Sequence, residues 1–226
     1  MSQSDAAPKG RLGGHAFAAL GFLACVAVAA AIWRLGPPGQ IPVHFDLHGR
    51  TNGWMDRTHL AITVVGLTAM LAVCYAAMGL LTGSMGRNLK IARLVLVLVA
   101  VMTAVIMASA AFGAMTGPDF SPTRLQPALL SLLFLVIGAL IGKASPNPMV
   151  GVRTYWTLRS RLAWDKSNRL CGRLFLAIGV LGLVASALGP PMLVVFALIV
   201  AILLSALISV IESWRVWRGD PNRLQP

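Results

Sequence analysis

Charged residues are scarce in this 226-residue sequence, and their scarcity excludes an ordinary soluble domain. They make up 12% of the chain, whereas hydrophobic residues make up 57%; a typical soluble domain carries about 25% charged residues. The composition therefore predicts a polytopic membrane protein. Although the net charge is +12, the cations lie in short connectors between apolar runs, and this pattern argues against nucleic acid as a partner.

Several signatures of chemistry are also missing. The chain has no HExxH motif, no nucleophile elbow and no phosphate-binding glycine loop, so we expect neither an enzyme nor a cofactor. The three cysteines, of which Cys25 and Cys74 lie in apolar runs, predict no disulfide framework. No Asp, Glu, Lys, Arg or His falls in the middle of a predicted membrane helix, which argues against an ion-coupled transporter.

Six apolar runs are predicted to form membrane helices, each of which needs about 20 residues. The fifth run is short and spans only if Leu170 to Arg173 extend it. We therefore predict an all-α polytopic membrane protein with six transmembrane helices and both termini on one side. The runs are Gly14 to Leu35, Leu60 to Thr82, Leu94 to Met115, Gln126 to Gly142, Leu174 to Leu188 and Pro191 to Ile211.

The first run has a second interpretation as a cleaved signal peptide. Ala27, Ala29 and Ala31 supply the small residues of a cleavage site. We favour a retained helix because the apolar run continues to Arg34 without a break.

Small and hydroxyl-bearing residues inside the runs predict contacts between helices. Gly138 and Gly142 form a small-xxx-small pair, which would let two helices approach closely. We expect the hydroxyl groups to bond to their own backbone or to a neighbouring helix. These hydroxyl residues are Thr63, Thr68, Thr103, Ser109, Ser131 and Ser205.

The distribution of cations predicts the orientation. Fifteen Lys and Arg residues lie in the connectors of one side and four lie on the other. Because Lys and Arg concentrate in cytoplasmic connectors, we predict that the fifteen face the cytoplasm. The chain then divides into a cytoplasmic tail, 1–13, an N-terminal membrane half, 14–115, with an outer loop at 36–59, and a C-terminal half, 116–226, with an inner segment at 143–173.

The outer loop is the most polar extracytoplasmic part of the chain. Its prolines and glycines predict a structured loop or a short extended segment. On a strand, His44, Asp46 and His48 would share one face and could bind a zinc-like ion. A fourth ligand would come from His59, Asp56 or water. We favour the other interpretation, a solvated loop in which these side chains bond to the backbone and no metal is bound.

The inner segment carries the densest positive charge. We predict that Thr157 caps a helix from Leu158 to about Arg173. Trp164 and Cys171 would lie opposite the cations, so this amphipathic basic cytoplasmic helix could lie along an anionic leaflet. It could equally bind an acidic partner or a lipid headgroup. Four cations share an arc of roughly 80°, namely Arg159, Lys166, Arg169 and Arg173.

Two motifs resemble those of one family, the SdpI-type membrane proteins. The outer motif resembles the small domain at the N-terminus of that family, and the inner motif is similar to its C-terminal signature. The outer motif comprises Pro42, His44, Phe45, Asp46, Gly49, Asn52 and Trp54. The inner motif comprises Asn147, Gly151, Arg153, Thr154, Trp156, Thr157, Leu158, Trp164, Asn168, Arg169 and Gly172.

The resemblance implies a bacterial inner-membrane protein that confers immunity to a secreted antimicrobial peptide toxin or senses it. The namesake of the family protects a toxin-producing bacterium from its own peptide and holds a transcriptional repressor at the membrane. The partners implied are the lipid bilayer, a secreted peptide toxin outside, and a regulator or anionic lipid inside. The alternatives are a receptor or scaffold that recruits a cytoplasmic regulator, and a metal-dependent membrane protein.

Overall fold

Helices dominate the computed structural model, which describes residues 9–46, 50–81, 86–115, 124–147 and 150–223. Within these residues, a β-hairpin follows the first helix and six further helices follow the hairpin. In chain order the elements are α1 Lys9–Leu35, β1 Ile41–Phe45, β2 Thr51–Met55, α2 Arg57–Leu81, α3 Gly86–Gly113, α4 Leu125–Ile141, α5 Tyr155–Arg159, α6 Arg161–Leu188 and α7 Pro191–Arg218.

Five of the described helices, α1, α2, α3, α6 and α7, are long and apolar enough to cross a membrane. The sixth apolar helix, α4, has 17 residues and a length of about 26 Å, close to the roughly 30 Å hydrocarbon core. Large apolar side chains are exposed on the outer faces, as Leu203 is at 64%, and lipid can cover them. The predicted all-α polytopic membrane fold is confirmed.

Successive long helices run in opposite directions, so the segments that connect them lie alternately on two faces. The hairpin, the C-terminal end of α3 and the turn before α7 lie on one face, which we name the hairpin face. Two stretches, 142–147 and 150–160, and the C-terminal end of α7 lie on the other face, which we name the arginine-rich face.

The first three membrane helices pack against one another and enclose a core of small and branched side chains. Cys25 and Ala29 of α1 meet Leu60 and Val64 of α2 in this core. Ile41 of β1 belongs to the same core and is completely buried. The hairpin is therefore fixed to the helices by its first residue.

The helices of the C-terminal half pack around α6, which lies between α4 and α7. Glycines allow α4 and α6 to touch through their backbones: a Cβ on Gly138 would lie 2.8 Å from the carbonyl oxygen of Gly172. A Cβ on Gly179 would lie 2.6 Å from Cβ of Leu135. Such close approach is how membrane helices associate without a hydrophobic driving force.

The predicted helix from Leu158 to Arg173 is wrong. Thr154 caps a short helix, α5, which ends at Arg159, and Ser160 then adopts an extended conformation with φ −144° and ψ 119°. Ser160 caps α6, which runs without interruption from Arg161 to Leu188. At about 42 Å, this helix is long enough to cross a membrane, and the basic residues up to Arg173 belong to it instead of forming a separate surface helix. The extension of the fifth run through Leu170 to Arg173 is confirmed.

Most of the hydroxyl groups inside the helices bond to their own backbone, as predicted. Thr63 donates to the carbonyl of His59 at 2.8 Å, and Ser131 donates to that of Pro127 at 2.7 Å. Thr103, Ser109 and Ser205 bond in the same way. These groups are satisfied within lipid by the helix that carries them.

Gly179→Ala is expected to destabilise the protein, because the new methyl group must push α4 away from α6. Overpacking of this kind costs about 1–3 kcal/mol. Gly66→Ala in α2 is the control: nothing lies within 4 Å of its Cβ position, so we expect no loss of stability. Unfolding in SDS, followed by circular dichroism, measures both. Equal stability of the two variants would contradict the packing described.

Candidate functional site

The outer loop forms an antiparallel hairpin, in which Ile41 pairs with Met55 and Phe45 with Thr51. The register shifts on both sides of the pair His44–Gly53, which is the signature of a bulge. At the tip, the backbone N–H of Arg50 donates to Oδ1 of Asp46 at 2.8 Å. The predicted extended segment is thus a closed, hydrogen-bonded hairpin.

One surface of the hairpin presents polar and aromatic side chains. Nδ1 of His44 lies 2.5 Å from Oδ1 of Asn52, and both side chains are exposed. Trp54 is 57% exposed, whereas Phe45 is half-buried. A Cβ on Gly53 would lie 2.7 Å from Cβ of His44, so only glycine leaves room for this histidine.

The metal interpretation of the outer loop is not tested. β1 ends at Phe45, so Asp46 belongs to the tip and not to the strand. His48 and Gly49 lie outside the described residues. Within the part of the chain that is described, no three His, Cys, Asp or Glu side chains form a group able to hold a metal ion.

Asp56 and His59 have a structural role at the start of α2. Oδ1 of Asp56 accepts the backbone N–H groups of Thr58 at 2.8 Å and His59 at 3.1 Å, and its Oδ2 contacts the imidazole of His59. The N–H of His59, followed by its side chain, lowers the pKa of Asp56 below the usual value. The carboxylate is therefore ionised at neutral pH and caps the helix.

On the arginine-rich face, the segment after α4 is held against α6 by hydrogen bonds. The indole N–H of Trp164 donates to the carbonyl of Ala144 at 2.8 Å. Oδ1 of Asn168 accepts the backbone N–H of Val152 at 2.8 Å, and its amide group donates to the carbonyl of Trp164 at 2.9 Å. Trp164 and Asn168 are almost fully buried. We name this arrangement, Ala144, Val152, Trp164 and Asn168, the latch.

Gly151 fits the latch because it has no side chain. Its φ of +121° is a conformation that residues with a Cβ rarely adopt. A Cβ here would lie 2.5 Å from Oδ1 of Asn168 and 3.1 Å from the ring of Trp164. Asn147 shapes the turn before it, accepting the N–H of Val150 at 2.7 Å.

Thr154 and Thr157 form a capping box at the start of α5. The hydroxyl of Thr154 also lies 2.9 Å from that of Ser213 on α7. Ser160 continues this connection to the C-terminal end, because its hydroxyl donates to Asp220. Thus the residues on either side of α5 bond to α7 and to the segment that follows it.

Asp220 is a charged group in a nearly buried position, with 6% of its surface exposed. The hydroxyl of Ser160, followed by the N–H of Asn222, lowers the pKa of this carboxyl below its usual value. A carboxyl whose pKa is lower in the folded protein than in the unfolded chain stabilises the fold. This stabilisation is fully present at a pH above the unfolded pKa of about 3.9, and it is lost as the pH falls through the pKa of the folded protein. The bond to Ser160 is therefore complete at neutral pH.

The predicted residues of the inner segment divide into two groups. Asn147, Gly151, Thr154, Thr157 and the latch residues are engaged in internal contacts, and Gly172 touches α4 inside the membrane. The exposed group consists of the apolar Leu158 and five cations, namely Arg153, Arg161, Lys166, Arg169 and Arg173. Trp156 is half-buried.

Three residues that hold α5 in place could not be identified from the sequence: Ser160, Ser213 and Asp220. Ser205, Ser209 and Ser213 recur at every fourth position of a very apolar helix, and all are buried. That spacing places them on one face and could have indicated the side of α7 that meets α6. Nothing in the sequence pairs Asp220 with Ser160 across 60 positions.

Residues 143–211 match the SdpI/YfhL protein family. The match contains every predicted residue of the inner motif. It does not include the outer loop, so the resemblance of that loop remains a prediction. No curated protein and no solved structure matches the chain.

Asn168→Ala is expected to loosen the latch, because the buried N–H of Val152 loses its acceptor. An unsatisfied buried group costs about 1–3 kcal/mol. Trypsin should then cleave after Arg153 faster in detergent-solubilised protein, as quantified by mass spectrometry of the fragments. Arg169→Ala changes the neighbouring exposed side chain and should leave that rate unchanged. An unaltered rate in Asn168→Ala would show that the latch does not hold the segment.

Proposed function

We propose that this SdpI-type multi-pass membrane protein confers immunity to a secreted antimicrobial peptide or senses it. In this proposal the protein lies in a bacterial inner membrane with the hairpin face outside and both termini in the cytoplasm. The excess of Lys and Arg on the arginine-rich face supports this orientation.

The observation that carries the proposal is the anchored hairpin with an exposed polar and aromatic surface. Ile41, completely buried, fixes the strand pair to the helices, and the bond between His44 and Asn52 orders the exposed side chains. Trp54 beside them is the type of residue that dominates the affinity of interfaces. A rigid surface of this kind binds without a large ordering cost.

The hairpin also suits an extended or amphipathic peptide by its backbone. A sheet with two strands, as described here, has unpaired edges to which a peptide can add as a third strand. A peptide that acts on membranes partitions to the same interfacial depth at which Trp54 is exposed. Binding at the hairpin would keep the peptide from the bilayer below.

Expression of the chain in a sensitive strain should raise the concentration of a cognate secreted peptide that is needed to stop growth. We expect Trp54→Ala to remove most of this protection, since truncating an interface anchor costs about 2 kcal/mol, or roughly thirtyfold in affinity. Growth inhibition is measured against a panel of secreted peptides, with the membrane level of each variant determined by immunoblotting.

Trp33→Ala is the matched control, because Trp33 is also exposed near the hairpin face, at 52%, but lies on α1. It should retain protection. If the unaltered chain protects no better than the empty vector against every peptide, the immunity role fails. Protection that persists in Trp54→Ala would remove the hairpin surface from the proposal.

A second candidate is supported by α5: the chain recruits a cytoplasmic regulator. Leu158 is an apolar residue that is 57% exposed between the exposed cations Arg153 and Arg161. An apolar side chain surrounded by cations suits an acidic protein surface with an apolar centre. Arg159, by contrast, is half-buried, and its guanidinium carbon lies 4.0 Å from the centre of the Tyr155 ring.

A photo-crosslinking amino acid at position 158 should form a discrete adduct with a soluble protein in intact cells. The double substitution Arg153→Glu and Arg169→Glu should abolish the adduct by charge repulsion, whereas Lys90→Glu, on the same face but on α3, should leave it intact. Adducts with lipid alone would mean that α5 rests on the membrane surface, and the recruitment role would then be rejected.

A further inference from the structure

Three helices of the N-terminal half bring a cation, an imidazole and a phenol together on the arginine-rich face. The hydroxyl of Tyr75 on α2 lies 3.1 Å from Nδ1 of His15 on α1. The guanidinium carbon of Arg93 on α3 lies 4.7 Å from the centre of the Tyr75 ring. Phe22 packs edge-on against that ring, with the centroids 5.9 Å apart. We name His15, Tyr75 and Arg93 the polar cluster.

Arg93 has an unmet bonding requirement. Its Nε is buried and has no hydrogen-bond partner among the described residues. No carboxylate of the described chain pairs with it either. A cation near the hydrocarbon is costly unless an anion or a dipole compensates it, and a ring face compensates it only in part. The cluster therefore favours an anionic oxygen, which forms charge-assisted bonds with guanidinium groups.

An apolar groove begins beside the cluster and runs between α1 and α2, with a volume of about 410 Å³. Its wall on α1 includes Ala19, Phe22 and Val26, and its wall on α2 includes Thr68, Ala69 and Ala72. Seven residues of helix separate Ala19 from Val26, so the groove extends about 10 Å into the membrane. The alanines leave the space that larger side chains would fill.

Phe22 connects the two features, because it lines the groove and packs on Tyr75 of the cluster. Thus the polar cluster lies at one end of the apolar groove, and the groove leads away from the arginine-rich face. Leu23 and Val26 on one rim are 64% and 46% exposed, so the groove opens to the lipid. An amphiphile with an anionic head and an alkyl chain matches this sequence of environments.

We propose that this site binds an anionic glycerophospholipid of the leaflet on the arginine-rich face. The phosphate accepts hydrogen bonds from Arg93 and from the Tyr75 hydroxyl, and one acyl chain occupies the groove between α1 and α2. The bound lipid would join α1, α2 and α3 at the end opposite to the hairpin. The site is separate from the hairpin and from α5, and does not depend on the proposed function.

The test is native mass spectrometry of the full chain released from nanodiscs of phosphatidylglycerol or of phosphatidylcholine. The unaltered protein should retain one phosphatidylglycerol and little phosphatidylcholine. Arg93→Gln should weaken retention about tenfold, the typical effect of losing a charge-assisted bond. Lys90→Gln removes the same charge from an exposed position three residues away and should retain the lipid.

Ala69→Leu distinguishes the groove from the headgroup site, since it fills the channel and leaves the cluster unchanged. We expect it to reduce lipid retention with no loss of folded protein in circular dichroism. Inorganic phosphate added to lipid-free protein in detergent should not bind measurably, because it has no acyl chain to occupy the groove. Equal retention of both lipids, equal retention by Arg93→Gln and Lys90→Gln, or retention unaffected by Ala69→Leu would each overturn the proposal.

Discussion

The backbone contact between α4 and α6 is the constraint on which the rest of the C-terminal half depends. In lipid, apolar side chains gain nothing by leaving one hydrocarbon environment for another, so close packing and hydrogen bonds must hold helices together. Gly138, Gly172 and Gly179 supply that packing by removing the side chains that would separate the two helices. The contact fixes α6, and α6 in turn carries Trp164 and Asn168 to the place where they hold the inner segment.

This dependence changes the meaning of the inner motif. Its residues are those that resemble the SdpI-type family, and a binding role would be the first expectation for them. Five of the eleven instead bond to backbone groups of an irregular segment, where an unpaired N–H or carbonyl is costly; these are Asn147, Thr154, Thr157, Trp164 and Asn168. The motif therefore describes how the chain turns from α4 into α6, and exposed cations such as Arg153 and Arg169 are left for contacts with other molecules.

The sequence predicted the membrane class and all six apolar helices, because a long apolar run has few alternatives in a membrane. It did not predict where α5 ends. Thr154, Thr157 and Ser160 are all acceptable caps by residue type, and the choice among them is made by Ser213 and Asp220, which approach from another helix and from the chain's end. The hairpin was anticipated only as extended chain, since the burial of Ile41 depends on helices distant in sequence.

The contacts made by exposed side chains bear on where the protein binds another molecule. On the hairpin face, His44 and Asn52 are exposed and also bonded to each other, so the structure orders side chains that contribute nothing to the core. On the opposite face, the buried side chains of Trp164 and Asn168 hold the inner segment, and the cations Arg153 and Arg169 are exposed. Order among exposed side chains costs conformational entropy and gains little stability for the fold. The exposed and mutually bonded pair of His44 and Asn52 therefore adds support to our proposal that the hairpin surface binds a peptide.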